Sequence, residues 1–367
     1  MARFHFALFS RLHHGDGAPR ASLESPYTIH SLSTMATTIN GSAVLVLASI
    51  ALAVAGSYPL ALATVLLALV WLCCSSTSSL SLEDQLEIKF NIWEAPDILQ
   101  EMARSDGDRA VLVAGLHALA RKYHPDTALL CQDAAYLALQ SSDDTILAAA
   151  LSLLALCAKR EDVRERHQAD VYGLDRPLDA IRASLLRAKE LHDPKLEQQA
   201  AEVQRKACLW MGALSDGDTA SAQLVAGEGG IEAILAAVDW YRYHSEVGNW
   251  GLWALFVLCF EAKTNKEVLV RENGVPIVVR VVENCAESVD VARHGLALLF
   301  DLMREDEETR VDVWAVRKSA LAAGLHDAVS LAMVNHNEMD IMMMGQELLV
   351  GTNYGGDVPR YKNQESS

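Results

Sequence analysis

The chain has 367 residues. At about 100–200 residues per domain, that is room for two or three ordinary domains or one long repeat array. Its 31 Lys and Arg stand against 48 Asp and Glu, a formal net charge of −17. That excludes a nucleic-acid binder working by phosphate neutralisation, which needs a basic surface. A content of 51% hydrophobic and 22% charged residues excludes a mainly disordered chain. Only 9 Pro and 21 Gly are too few for an all-β protein built on many tight turns.

The charge is unevenly spread. Residues 1–82 hold Arg3, Arg11, Arg20, Asp16 and Glu24, net +1, so residues 83–367 carry −18. No Asp, Glu, Lys or Arg occurs between Glu24 and Glu83. Inside that gap, Ala43 to Cys74 is nearly continuously apolar, broken by Ser49, Gly56-Ser57-Tyr58-Pro59 and Thr64. As helix, residues 43–74 would span roughly 48 Å, more than the ~30 Å hydrocarbon core. Three readings stand open. One is a single tilted or Pro-kinked span, about Leu47 to Leu72, with Trp71 at an interface. The second is a re-entrant hairpin turning at Gly56–Pro59. The third is a signal read from Met35 and cleaved near Ala53-Val54-Ala55. The three N-terminal Arg favour a cytoplasmic or matrix-side N-terminus. Residues 1–40 are expected to be a disordered leader or targeting segment, 41–76 the hydrophobic membrane segment, and 77–104 a linker and capping helix.

The cysteines are 73, 74, 131, 157, 208, 259 and 285. There is no CxxC pair and the count is odd. Five lie in apolar helical runs, where a free Cys behaves as a small hydrophobe. No spaced His/Cys set suggests a metal. A reducing compartment, cytosolic or organellar, is favoured for residues 83–367. Cys73 and Cys74 flank the apolar run and could be acylated; two apolar residues ending a helix is the plainer reading.

From Glu83 onward the apolar spacing predicts helices throughout, with breaks at Gly, Pro, Asp and Ser. Six helices share one template: a β-branched residue, a small residue four later, and a large apolar residue four after that. The starts are Val111, Ile146, Val203, Val247, Val291 and Ile341, at intervals of 35, 57, 44, 44 and 50 residues. The small positions are Gly115, Ala150, Ala207, Gly251, Gly295 and Gly345. The large ones are Leu119, Leu154, Met211, Leu255, Leu299 and Leu349. Gly costs about 1 kcal/mol against Ala inside a helix. Its recurrence therefore predicts a tight contact, expected with the helix of the next repeat. The connecting segments recur too. Second helices are expected from Leu174, Ile231, Val275 and Leu325, which makes a unit of three helices and about 44 residues.

This pattern resembles the armadillo repeat. The closest stretches are "EVGNWGLWALFVLCFEA" (Glu246–Ala262) and Thr264–Cys285. The resemblance covers about 105–350, and HEAT repeats are the nearest structural alternative. It implies an all-α fold: an armadillo-like right-handed α-solenoid of about five to six degenerate repeats over 105–352. A transmembrane or signal helix would precede it, and residues 353–367 would form a disordered tail.

In armadillo arrays the third helices line a concave groove that binds extended peptides or partner helices. Members of the importin alpha type use regularly placed Trp and Asn. Trp253 occupies the Trp position. The Asn position holds Val257, with Ala213, Asp301 and Gly351 in other repeats. The missing Asn ladder disfavours an importin-like cargo receptor. One turn earlier lie Arg205, Asn249 and Arg293. With Leu209, Trp253, Asp301 and Glu347 they are expected to form a mixed, partly aromatic partner-binding surface. The plainer alternative is that Trp250 and Trp253 fill the interface between repeats. The net −18, with the run Glu305-Asp306-Glu307-Glu308, favours a protein partner with a basic or mixed surface.

No P-loop, GxGxxG, GxSxG or HExxH motif occurs. His13-His14-Gly15-Asp16 lacks further ligands, and "MDIMMMGQ" (339–346) reads as packing material. No catalytic residue, cofactor, metal, nucleic acid or small-molecule substrate is expected. "LARKYHPD" (Leu119–Asp126) is similar to the end of the second helix of a J-domain, whose His-Pro-Asp loop stimulates a chaperone ATPase. The preceding "VLVAGLHALA" lacks the basic face of that family, and the next helix follows too closely. His124-Pro125-Asp126 also makes sense as a helix stop and cap. The sequence thus points to a non-enzymatic, membrane-tethered armadillo-type scaffold or adaptor, with residues 43–74 as the tether. The alternatives are a chaperone cofactor using His124-Pro125-Asp126, or a structural subunit of a membrane complex.

Overall fold

The computed structural model describes residues 81–353 except 106, 170–172, 192 and 305–310. The expected leader, the hydrophobic segment with its Cys73-Cys74 pair, the acidic run at 305–308 and residues 354–367 lie outside the described residues. The helices belong to one compact unit that begins at Leu82.

Every regular element among the described residues is helical. The first helices are α1 (Leu82–Ile92) and α2 (Ala95–Arg104), both packed on α3 (Arg109–Arg121). A 3-10 turn, Pro125–Thr127, leads into α4 (Ala128–Ala138), α5 (Asp144–Cys157) and α6 (Glu161–Gln168). Then come α7 (Asp175–Leu191), α8 (Pro194–Ser215), α9 (Thr219–Gly227) and α10 (Gly230–Trp240). They are followed by α11 (Ser245–Glu261), α12 (Asn265–Arg271) and α13 (Gly274–Asn284). The last four are α14 (Val289–Met303), α15 (Val313–Ala322), α16 (Leu325–Asn335) and α17 (Met339–Asn353).

The six template residues from Val111 to Ile341 fall on α3, α5, α8, α11, α14 and α17. These helices pack one on the next in chain order, α3 on α5, α5 on α8, and so on to α17. A second row runs through α7, α10, α13 and α16, and a third of short helices through α6, α9 and α12. The rows share one core. Leu252 and Leu255 on α11 and Leu296 and Leu299 on α14 are fully buried, each worth about 1.5–3 kcal/mol over an exposed side chain.

Local chemistry sets the helix ends. The first five template helices open on a side-chain cap: Asp108, Asp143, Asp193, His244 and Ser288 each accept from backbone N–H groups one turn in. A carboxylate or hydroxyl cap contributes about 0.5–2 kcal/mol. Before α10, α13 and α16 the chain turns through a left-handed residue: Gly229 (φ 83°), Asn273 (φ 56°) and Gly324 (φ 94°). Asn is the side chain that best tolerates that region. The sequence places a Gly turn here, and Asn273, not the adjacent Gly274, takes the strained position.

The small template residues do meet close neighbours, but not the expected ones. A Cβ on Gly251 would come 2.2 Å from Val238 Cγ1 of α10, and one on Gly295 2.2 Å from Val282 Cγ2 of α13. Gly115 faces Met102 of α2, and Gly345 faces Met333 of α16. In each case the close contact is with the helix just before it in the chain, so the glycine closes a pair of successive helices. At Gly295 the neighbouring template helix contributes a looser contact, Leu252 Cδ1 at 3.2 Å.

Candidate interaction surface

Arg205, Asn249 and Arg293 stand at equivalent positions on α8, α11 and α14. Each lies three residues after an acidic residue, Glu202, Glu246 or Asp290, and Asp340 holds the acidic position on α17. Arg205 forks onto Glu202, Nε to Oε2 at 2.8 Å and Nη2 to Oε1 at 2.6 Å. That hydrogen bond, then the charges of Glu202 and of Glu246 on α11, hold the guanidinium above its ordinary value against burial. Burial pushes the Glu202 carboxyl up, but the bond from Arg205 and the charges of Arg205, Lys206 and His244 together hold it below the usual range. His294 Nδ1–H on α14 donates to Asn249 Oδ1 on α11 at 2.9 Å. Arg293 donates to Asp290 on its own helix at 3.0 Å and to Asp340 on α17 at 2.7 Å. The polar contacts thus cross from α11 to α14 and from α14 to α17, while the Arg205–Glu202 fork stays within the middle of α8.

Trp253 sits one turn further along α11. Its ring lies against Gly212 of α8, where a Cβ would come within 2.3 Å of Cζ3. Trp250 meets it edge to face, centroids 5.6 Å apart. Phe256 and Phe260 stack at 5.8 Å further along the helix. All four rings are half-buried, so α11 carries an aromatic stripe with an open edge. The contact with Gly212 fits the plainer expectation that Trp253 fills the space between units, while its open edge leaves part of the ring accessible.

The remaining expected residues divide. Asp301 is tied down by Lys266 of α12, whose ammonium lies 2.9 Å from Oδ2 and donates to the Asp301 carbonyl at 3.1 Å. The Lys266 side chain is 4% exposed, so this pair joins the short-helix row to the template row. Glu347 on α17 is exposed. The sequence reasoning missed Glu202, Asp340, His294, Phe256 and Phe260. The aromatic spacing 250, 253, 256, 260 was visible on one helical face; the cross-helix pairs were not.

Toward α3 the face carries His117, Arg121 and Lys206, with Arg121 paired to Glu87 at 3.0 Å and Lys206 3.8 Å from Glu202. Burial, then the charges of Arg121 and Lys206, press His117 below its ordinary value of 6.5. Lys206 is itself lowered by burial and by Arg205. On α17, Glu347 is exposed, two turns along the helix from Asp340. His124 caps the 3-10 turn Pro125–Thr127, its Nδ1 accepting from Asp126 N–H at 3.3 Å, and His124, Pro125 and Asp126 are exposed. Among the described residues no group of three His, Cys, Asp or Glu is placed to hold a metal ion. No described helix is long and apolar enough to cross a membrane.

No family model matches the chain, and no curated protein does. A crystal structure of an engineered protein from a structural-genomics consortium resembles it at 15% identity with a TM-score of 0.49. The match covers 71% of this chain and 97% of that one. A likeness at that level bears on neither fold family nor function.

Proposed function

We propose that residues 105–352 form an armadillo-like right-handed solenoid of five to six degenerate repeats, and that it acts as a non-enzymatic scaffold or adaptor. The observation that carries this reading is the packing of the six template helices in chain order, flanked by a second row in the same order. That is the nearest-neighbour pattern of a repeat array. The binding face is the one lined by the template helices. Trp250, Trp253, Phe256 and Phe260 supply an apolar anchor strip. Arg205, Asn249, Arg293, Asp301 and Glu347, with the carboxylates of Glu202, Asp290 and Asp340, supply a mixed polar surround. Because Arg205, Asn249 and Arg293 are held by neighbours, they are pre-ordered and lose little side-chain entropy on contact. The partner is a protein with a basic or mixed surface, and residues 43–74 tether the scaffold to a membrane.

The test is affinity capture followed by mass spectrometry with three versions of the full chain. Trp253→Glu combined with Arg293→Glu should lose the captured partner. Glu283→Lys, on the exposed side of α13 in the second row, should keep it. Equal loss in both variants, or retention by the double variant at unchanged helicity, contradicts the reading.

A further inference from the structure

One cluster of buried polar side chains takes no part in the scaffold reading. Gln132 and Tyr136 stand one turn apart on α4, His167 on α6 and Trp210 on α8. Gln132 and Trp210 are 0%, His167 2% and Tyr136 4% exposed. The His167 imidazole joins them. Its Nε2 lies 3.2 Å from Gln132 Nε2 and its Nδ1 3.0 Å from Tyr136 Oη. Its ring centroid is 5.6 Å from that of Tyr136 and 6.1 Å from that of Trp210. On the other template helices the position of Trp210 holds Ala118, Leu153, Ala254, Leu298 and Leu348. None of those side chains has a polar atom, so the buried indole N–H is peculiar to α8.

Two atoms of the cluster, Gln132 Oε1 and Trp210 Nε1, have no hydrogen-bond partner among the described residues. The indole N–H can only donate. The amide cannot satisfy itself by turning over. As it stands, Gln132 Nε2–H donates to His167 Nε2, which leaves the imidazole proton on Nδ1, donating to Tyr136 Oη. Turned over, Oε1 accepts from His167 Nε2–H and Nδ1 accepts from the Tyr136 hydroxyl. The amide NH2 is then the end left over. In both tautomers one end of the Gln132 amide and the Trp210 N–H stay unpaired in a cluster joined by one imidazole. Buried polar groups in folded proteins are nearly always paired, with protein or with ordered water.

We propose that this cluster is a binding site for one internal water molecule, held by the Trp210 indole N–H and the Gln132 amide. Water fits both tautomers. It accepts from the indole, and it either donates to Gln132 Oε1 or accepts from the amide NH2 with its second lone pair. Internal waters typically bond two to four polar groups that the protein leaves unmade. Side chains exposed by no more than 4% leave no opening for a larger ligand. Water enters such sites through local opening of the fold. Once bound it joins α4 to α8, with α6 held through His167. This is the part of the array where the template interval stretches to 57 residues, from Ile146 to Val203.

The experiment uses the full chain. A crystal structure that shows ordered water should place one water within about 2.7–3.2 Å of both Trp210 Nε1 and one end of the Gln132 amide. NMR gives a second reading in solution. The Trp210 indole proton, assigned by its loss in Trp210→Phe, should show a cross-peak to water held longer than surface hydration water. Gln132→Met keeps the side-chain length and removes both amide ends. It should lose that cross-peak while the circular dichroism stays unchanged. A direct hydrogen bond from the indole to Gln132, or no water shared by the two side chains, overturns the proposal. A cross-peak unchanged in Gln132→Met overturns it too. If that variant loses its helix signal, the wild-type crystal structure alone decides.

Discussion

The ring of Trp253 on α11 lies against the α-carbon of Gly212 on α8, so close that a single methyl group there would come 2.3 Å from the indole. The aromatic stripe therefore depends on a glycine in the neighbouring template helix. Gly212→Ala should cost about 1–3 kcal/mol, the usual penalty of overpacking, and push the indole outward. Urea unfolding measures the first effect, and a red shift of tryptophan emission the second.

Gly295 and Gly351 make a matched pair. A Cβ on Gly295 meets Val282 at 2.2 Å and Leu252 at 3.2 Å, while one on Gly351 meets nothing within 4 Å. Gly295→Ala should destabilise by about 1–3 kcal/mol. Gly351→Ala should stabilise by about 0.4–1 kcal/mol, through lost freedom of the unfolded chain. Opposite shifts of the urea midpoint are the expected readout.

Two glutamates should respond to pH with opposite signs. Glu202 is held below its ordinary 4.5 in the folded chain despite burial, chiefly by Arg205. Its stabilisation is present above that unfolded value and is lost as pH falls through the folded one. Glu202→Gln should therefore lower the urea midpoint at pH 7, with the gap to wild type closing on acidification. Glu261 is raised above 4.5 by burial and by the charges of Asp216 and Asp218. Its ionisation opposes folding above 4.5, so Glu261→Gln should raise the midpoint at pH 7 and gain little in acid.

His117 reports on the α3 end of the face. Lys206, on α8, disfavours its protonation across α5. Removing that charge as Lys206→Met should raise the His117 pKa, followed by NMR of the ring protons. An unchanged titration would mean that α3 and α8 do not present these groups to one another.

Much of this arrangement was readable in the sequence. The six template helices could be placed because their β-branched, small and large residues are spaced for one helix face. That spacing is a local property. The second helices could be placed because Gly turns punctuate the chain near Ile231, Val275 and Leu325. The partner of the small residues was not readable. Tight spacing says that something comes close to Gly251, not whether it is Val238 before it or a helix after it. The cross-helix contacts were hidden for the same reason. Arg293 reaches Asp340 only because α14 packs on α17, 47 positions apart. The Asn273 turn escaped because a neighbouring Gly looked the better candidate for left-handed backbone.

The central claim is that the template helices form a nearest-neighbour stack. Deleting residues 287–367 removes α14 to α17 and tests it directly, by circular dichroism at 222 nm with a thermal melt. A stack predicts that α1 to α13 keep their helix signal per residue and still melt cooperatively, at a lower midpoint. Loss of most of the helix signal in this shortened chain would contradict it, because the remaining helices would then have depended on a core shared across the whole unit.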